Sequence, residues 1–141
     1  QLKREPYESL ERSIAHQQLH GKAAETILKR LIATSSVKSF PSPTDLLKLR
    51  LSQYQKCGFS KNKIKAIRDI ARRAVNHQIP SRREIKKMTD HDIIERLIPI
   101  YGVGTWTVEM LLIFQLGRIN VWPVDDFGVR RGYEVWKKKS V

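Results

Sequence analysis

Two short segments in the C-terminal third hold residue types that could do chemistry together. The first is Leu97-Ile98-Pro99-Ile100-Tyr101-Gly102-Val103-Gly104-Thr105-Trp106-Thr107. Two glycines one residue apart permit positive φ and the close approach of another backbone. A helix starting at Thr105 would aim the amides near Gly102 to Trp106 outward from its positive end, a ready site for an anion such as phosphate. The second segment is Pro123-Val124-Asp125-Asp126-Phe127-Gly128-Val129-Arg130-Arg131. An aspartate ahead of the helix-like stretch 127–136 can serve as an N-cap, worth on the order of 1 kcal/mol. Two in succession allow a division of labour, in which one caps and the other projects into a cleft. A carboxylate facing a cleft can stabilise the cation that develops at a sugar carbon when a glycosidic bond breaks.

Charge says whose phosphate this would be. The chain has 141 residues, with 27 Lys and Arg against 14 Asp and Glu and a net charge of +13. That length suffices for one domain with a real core. The charge points to a polyanion partner, so the phosphate is expected in a nucleic acid. A membrane surface fits less well, because no helix is strongly cationic on one face and open-apolar on the other. No apolar run reaches the roughly 18 residues needed to span a bilayer. No signal peptide is visible; the chain begins at Gln1 without Met, so an N-terminal segment is open as a possibility. The single Cys57 allows no internal disulfide and no all-cysteine iron–sulfur cluster, which fits an intracellular, reducing compartment. His16, His77 and His91 lack ligand-like spacing, so no metal centre is expected.

The positioning elements read as helices almost throughout. Pro6 suits a first helical turn, with Leu10 and Ile14 on one face. Lys22 to Ala33 carries an apolar stripe of Ile27, Leu28, Leu31 and Ile32. After a break with Pro41 and Pro43, Ser42 or Thr44 can start a short helix. Gly58 reads as a helix stop and Ser60 as the next N-cap. The helix that follows buries Ile64, Ile67, Ala71 and Ala74 and turns Lys61, Lys65, Arg68 and Arg72 outward. Ser81 starts another short helix, and Thr89 with Asp92 resembles a capping box. Ile93, Ile94, Leu97 and Ile98 form the expected buried side of the helix entering the glycine turn. Val108 to Leu116, with Glu109 its one charge, reads as a buried central helix. No alternating strand, repeat or long linker is visible. The expected fold is all-α, a single helical domain over residues 1–141, with the hairpin at about 97–107 and the aspartate segment at about 121–131.

The glycine turn alone is compatible with a ligand-free helix–helix connection. It is not a nucleotide-binding loop, since it has no third spaced glycine, no preceding strand and no Gly-Lys-Ser/Thr ending. With its flanks, Gly102-Val103-Gly104-Thr105-Trp106-Thr107 resembles the helix-hairpin-helix motif of DNA-binding proteins. Ser13-Ile14-Ala15-His16-Gln17-Gln18-Leu19-His20-Gly21-Lys22-Ala23-Ala24 and Val121-Trp122-Pro123-Val124-Asp125-Asp126-Phe127-Gly128-Val129-Arg130 extend the resemblance. Together, from Tyr7 to about Trp136, they resemble the helix-hairpin-helix DNA glycosylase superfamily, closest to its 3-methyladenine DNA glycosylase II branch.

The resemblance implies roles. Asp126-Phe127-Gly128-Val129-Arg130 fits the register of the family's catalytic aspartate, with Asp125 as cap or helper; a register counted from Pro123 would exchange them. Relatives that also cut the strand carry a Schiff-base lysine where this chain has Trp106, which implies a monofunctional enzyme. Trp106 also suits an aromatic wall against a positively charged alkylated purine, and Tyr101 is a second candidate for the base pocket. Gly102, Val103, Gly104, Thr105 and Thr107 would hold DNA phosphate. Gln18 or Leu19 would fill the gap left by the flipped base, and His20 would contact the minor groove. Trp122 and Trp136 are assigned to core; Met110 and Tyr133 are read as core rather than pocket. No cofactor is implied beyond a structural monovalent cation on hairpin carbonyls. The implied partner is duplex DNA with a damaged base, met by a monomer where DNA resides. Family members usually continue past the aspartate helix, so a fragment lacking pocket helices is expected. A glycosylase for oxidised or mismatched bases and a non-enzymatic helix-hairpin-helix module remain the rivals. A helix-turn-helix regulator fits less well, for no polar recognition helix follows the turn.

Overall fold

The computed structural model describes residues 4–117, with side chains except at 106 and 114–116. The expectations for the aspartate segment, Trp122, Tyr133 and Trp136 lie outside the described residues.

Local sequence signals set the helix ends. α1 (Pro6–His16) places its proline in the first turn, where no N–H is needed. α2 (Gly21–Ala33) buries Ala24, Ile27, Leu28 and Leu31. Ser42, not Thr44, caps α3 (Pro43–Lys48), its hydroxyl accepting the Asp45 N–H. α4 (Leu51–Cys57), which the periodicity left unassigned, ends at Gly58 in the left-handed region. Ser60 caps α5 (Lys61–Val75). Ser81 and Glu84 cap α6 (Arg82–Ile85) reciprocally. Thr89 caps α7 (Asp90–Leu97), and α8 (Thr105–Leu116) starts from Gly104 with no side-chain cap. No strand occurs among the described residues.

α1 and α5 form the centre. α5 packs on α1, α3 and α4, while α1 also meets α2 and α8, and α8 packs on α7. Ile64, Ile67 and Ala71 are buried as expected, joined by Ala66 and Ile70. Tyr54, absent from the sequence-derived core, is fully buried. Its hydroxyl donates to the Leu46 carbonyl and its ring stands edge-on to Phe59.

Ile98 corrects the sequence reading: it is 40% exposed, while Leu97, Ile100 and Val103 are buried. A change of pitch carries Ile100 and Val103 inward instead. After Leu97 the chain tightens into turns bonded three residues back, Ile100 N–H to the Leu97 carbonyl and Val103 N–H to the Ile100 carbonyl. With three residues per turn, the inward positions run from Leu97 to Ile100 and Val103, while Ile98 keeps helical dihedrals, donates its N–H to the Ile94 carbonyl and faces outward.

A second surprise is Glu11. It lies in the core at 1% exposure, and neither carboxyl oxygen finds a hydrogen-bond partner among the described residues. Burial pushes its pKa well above the ordinary carboxylate range.

Candidate nucleic-acid interface

The hairpin is held to the core by side chains and by backbone. Gly102 has φ +78, and a Cβ there would stand 3.1 Å from Ala66 Cβ and 3.7 Å from Ile14 Cδ1. Glycine is therefore required twice over, by conformation and by the closeness of α5. Gly104 differs. It has φ −96, and an added Cβ would meet nothing within 4 Å. Packing makes no demand for glycine there; it serves as the N-cap of α8, and its missing side chain leaves room for close approach from outside.

The first helical hydrogen bond of α8 runs from the Val108 N–H to the Gly104 carbonyl. Among the described residues, the amides of Gly104, Thr105 and Thr107 have no acceptor. Uncapped amides at the positive end of a twelve-residue helix attract an anion.

α5 grips the hairpin from the side. Asp69 Oδ2 accepts the Tyr101 N–H at 2.8 Å, and Arg73 Nη2 donates to the Pro99 carbonyl at 3.2 Å. Asp69 is held in turn by Arg72 and Arg73, each at 3.2 Å. The Lys65 ammonium lies 4.3 Å from the centre of the Tyr101 ring.

A second exposed loop meets the hairpin. Gln17 to His20 connects α1 to α2, and Gln17 Nε2 donates to the Gly102 carbonyl at 3.1 Å. Gln18 takes φ +58, and Leu19 is 38% exposed, unusual for its type. Lys63 Nζ donates to the Ala15 carbonyl at 3.0 Å, tying the end of α1 to α5. Partial burial lowers the Lys63 pKa. His20 Nδ1 accepts the Lys22 N–H, which puts the proton of the neutral ring on exposed Nε2.

The structure thus ties the loop that carries exposed Gln18, Leu19 and His20 to the hairpin at Gly102, near which Gly104 and Thr105 are also exposed. Two expected contacts need correction. Val103 is 4% and Thr107 8% exposed, and the Val103 N–H is engaged by the Ile100 carbonyl. Both side chains are turned into the core; Val103 anchors the turn there, and of Thr107 only the amide is left without a partner among the described residues. The Tyr101 ring lies between Lys65 and, through its hydroxyl at 3.5 Å, Asn62. Trp106 falls in the first turn of α8, and its indole is outside the described atoms. Asp125 and Asp126 lie outside the described residues.

Sequence reading missed Gln17, Lys63, Asp69 and Arg73. Asp69 left a trace, as the one acid in the otherwise basic α5. The others serve partners remote in the chain and left none.

Comparison with known proteins follows the same line. Residues 12–139 match the family model described as HhH-GPD superfamily base excision DNA repair protein. The chain belongs to the HhH-GPD superfamily. Among its relatives, DNA-3-methyladenine glycosylase 1 of Schizosaccharomyces pombe is 44% identical over 93% of this chain and 58% of its own length. Alkylbase DNA glycosidase-like protein mag2 of the same yeast is 39% identical over 86% of this chain and 57% of its own. The solved S. pombe 3-methyladenine DNA glycosylase in complex with abasic DNA superposes with TM-score 0.82 at 43% identity, covering 94% of this chain and 64% of that one. The chain therefore spans about half the length of the curated relatives it matches. The all-helical architecture expected from periodicity is that of the superfamily.

Proposed function

We propose that this chain is the helix-hairpin-helix portion of a monofunctional DNA glycosylase. It excises alkylated purines of the 3-methyladenine type from duplex DNA and so initiates base excision repair. The observation that carries the reading is the union of two exposed features. The uncapped hairpin amides and the loop holding Gln18, Leu19 and His20 are tied by the Gln17–Gly102 hydrogen bond. A phosphate clamp beside a protruding apolar and amide pair is what an enzyme needs to hold a strand and fill the gap left by a flipped base. The relatives named as 3-methyladenine glycosylases, one of them bound to abasic DNA, support the same reading.

Extrusion costs a few kcal/mol, less at a weakened pair. Gln18 or Leu19 occupies the vacated stack, and His20 Nε2–H is a donor for the minor groove. Alkylation gives the purine a positive charge, which an indole at Trp106 would attract by roughly 0.5–2 kcal/mol. The C1′–N bond then breaks with its electron pair passing to the base, which leaves neutral. The ionised Asp126 offsets the charge on the oxocarbenium-like sugar. Water adds to C1′ and passes its proton to Asp126, leaving an abasic site. With tryptophan at position 106, no Schiff base forms there. No cofactor takes part. A structural monovalent cation would be held by hairpin carbonyls. Those of Ile98 and Val103 accept no hydrogen bond among the described residues, a fit for such an ion. The enzyme works as a monomer in the compartment that holds DNA.

The test is chromatography of bases released from methylated duplex DNA. Asp126→Asn is expected to abolish release while DNA binding persists. Retained release would transfer the role to Asp125, and release by an Asp125→Asn/Asp126→Asn chain would overturn the mechanism.

A further inference from the structure

We infer that Lys65, seated on the Tyr101 ring, is a phosphate-binding residue that extends the hairpin's anion site onto α5. The ligand is a backbone phosphodiester of the DNA strand held by the hairpin, so the inference rests on the DNA-binding reading above.

Asn62, Lys65 and Asp69 share one face of α5, at helical spacings of three and four. Tyr101 docks along that face at three points. Its N–H reaches Asp69 Oδ2 at 2.8 Å, its hydroxyl approaches Asn62 Oδ1 at 3.5 Å, and its ring lies 4.3 Å beneath the Lys65 ammonium. A lysine on an open helix surface loses much rotamer freedom when it binds. Here the ring has already restricted the side chain, and an ammonium attracted to a ring face keeps its outward donors for a second partner. Tyr101 immediately precedes Gly102, so the ammonium stands beside the turn that leads to the unpaired amides of Gly104 and Thr105.

Within α5 the carboxylate is already taken. Arg72 and Arg73 both pair with Asp69. Exposed Lys61 and Lys65, one helical turn apart, have no carboxylate partner among the described residues. The sole acid of α5, Asp69, is committed to two arginines and the Tyr101 amide. Cations without an internal counter-ion, next to an anion site, raise the positive potential where the strand would run.

The experiment measures the affinity of the full chain for a duplex carrying one abasic site, across a range of salt concentrations. Lys65→Gln should make the slope of log K against log salt less negative by about 0.9, the loss of one neutralised phosphate. Tyr101→Leu should shift it in the same direction. The double variant should be no worse than Lys65→Gln alone, because the ring acts through the lysine. Lys87→Gln, the same charge change after α6, should leave the slope unchanged. Equal slopes for Lys65→Gln and the parent would overturn the proposal while leaving DNA binding intact. Additive effects of the two substitutions would overturn the role of the ring. No binding by the parent chain would overturn the wider reading along with it.

Discussion

Glu11 sets a pH dependence by itself. Both of its oxygens are buried without a partner among the described residues, and burial raises its pKa well above the ordinary value. Burial, and then the Glu11 carboxyl, also push the phenols of Tyr7 and Tyr54 upward. In the unfolded chain a glutamate loses its proton near about pH 4.3. In the fold it keeps the proton to higher pH. Between those two points the unfolded state binds fewer protons, so raising the pH favours unfolding. The contribution is full below the unfolded-state value and is lost as pH rises through the folded-state value. Urea unfolding at pH 5 and pH 8 should therefore show the parent less stable at the higher pH, with that difference reduced in Glu11→Gln. Glu11→Leu should be more stable than the parent at pH 8 by about 1–3 kcal/mol, since it removes an unpaired polar group from the core. An unchanged pH difference in Glu11→Gln would refute this account.

The hairpin shows why two glycines of one motif are not equivalent. Gly102→Ala must hold φ +78 and push its Cβ to 3.1 Å from Ala66, so it should cost about 1–3 kcal/mol of stability. Gly104→Ala meets open space and should cost no more than about 1 kcal/mol, the price of a poorer N-cap. If the glycine exists for a strand to approach, Gly104→Ala should nevertheless weaken DNA binding; thermal melts and binding isotherms on both variants separate the two effects. The same element marks what was legible in the sequence. Caps such as Ser42, Ser60, Ser81 and Thr89 act on amides a few residues away, so composition exposes them. The burial of Ile100 and Val103 after Leu97 depends on tighter turns that α-helical periodicity cannot encode. Gln17 and Gly102 are 85 positions apart, and no local pattern announces their contact. The turn was legible because two glycines one residue apart are an unusual local signal, whereas Gln18, Leu19 and His20 were named through the resemblance alone. The site was hidden where ordinary polar residues brace one element against another, as with Lys63 and Arg73.

At the scale of the whole molecule, net charge and contact charge are different quantities. The chain carries +13, and neutralising one phosphate per net charge would give a salt slope near −12. The cations are not gathered on one face. Arg82, Arg83, Lys86 and Lys87 line an open depression with Glu5, and Arg73 and Arg96 border another with Asp92 and Glu95. The hairpin amides carry no net charge and add orientation rather than neutralised phosphates. A strand held at the hairpin and along Lys61 and Lys65 therefore meets only a fraction of the total. Binding measured from 50 to 200 mM salt should give a slope between about −3 and −8. A value near −12 would mean that DNA contacts the depressions beside α6 and α7 as well, and that the hairpin is one edge of a much larger interface. A slope near zero would remove phosphate neutralisation from the binding energy and leave the excess of positive charge without a role in recognition.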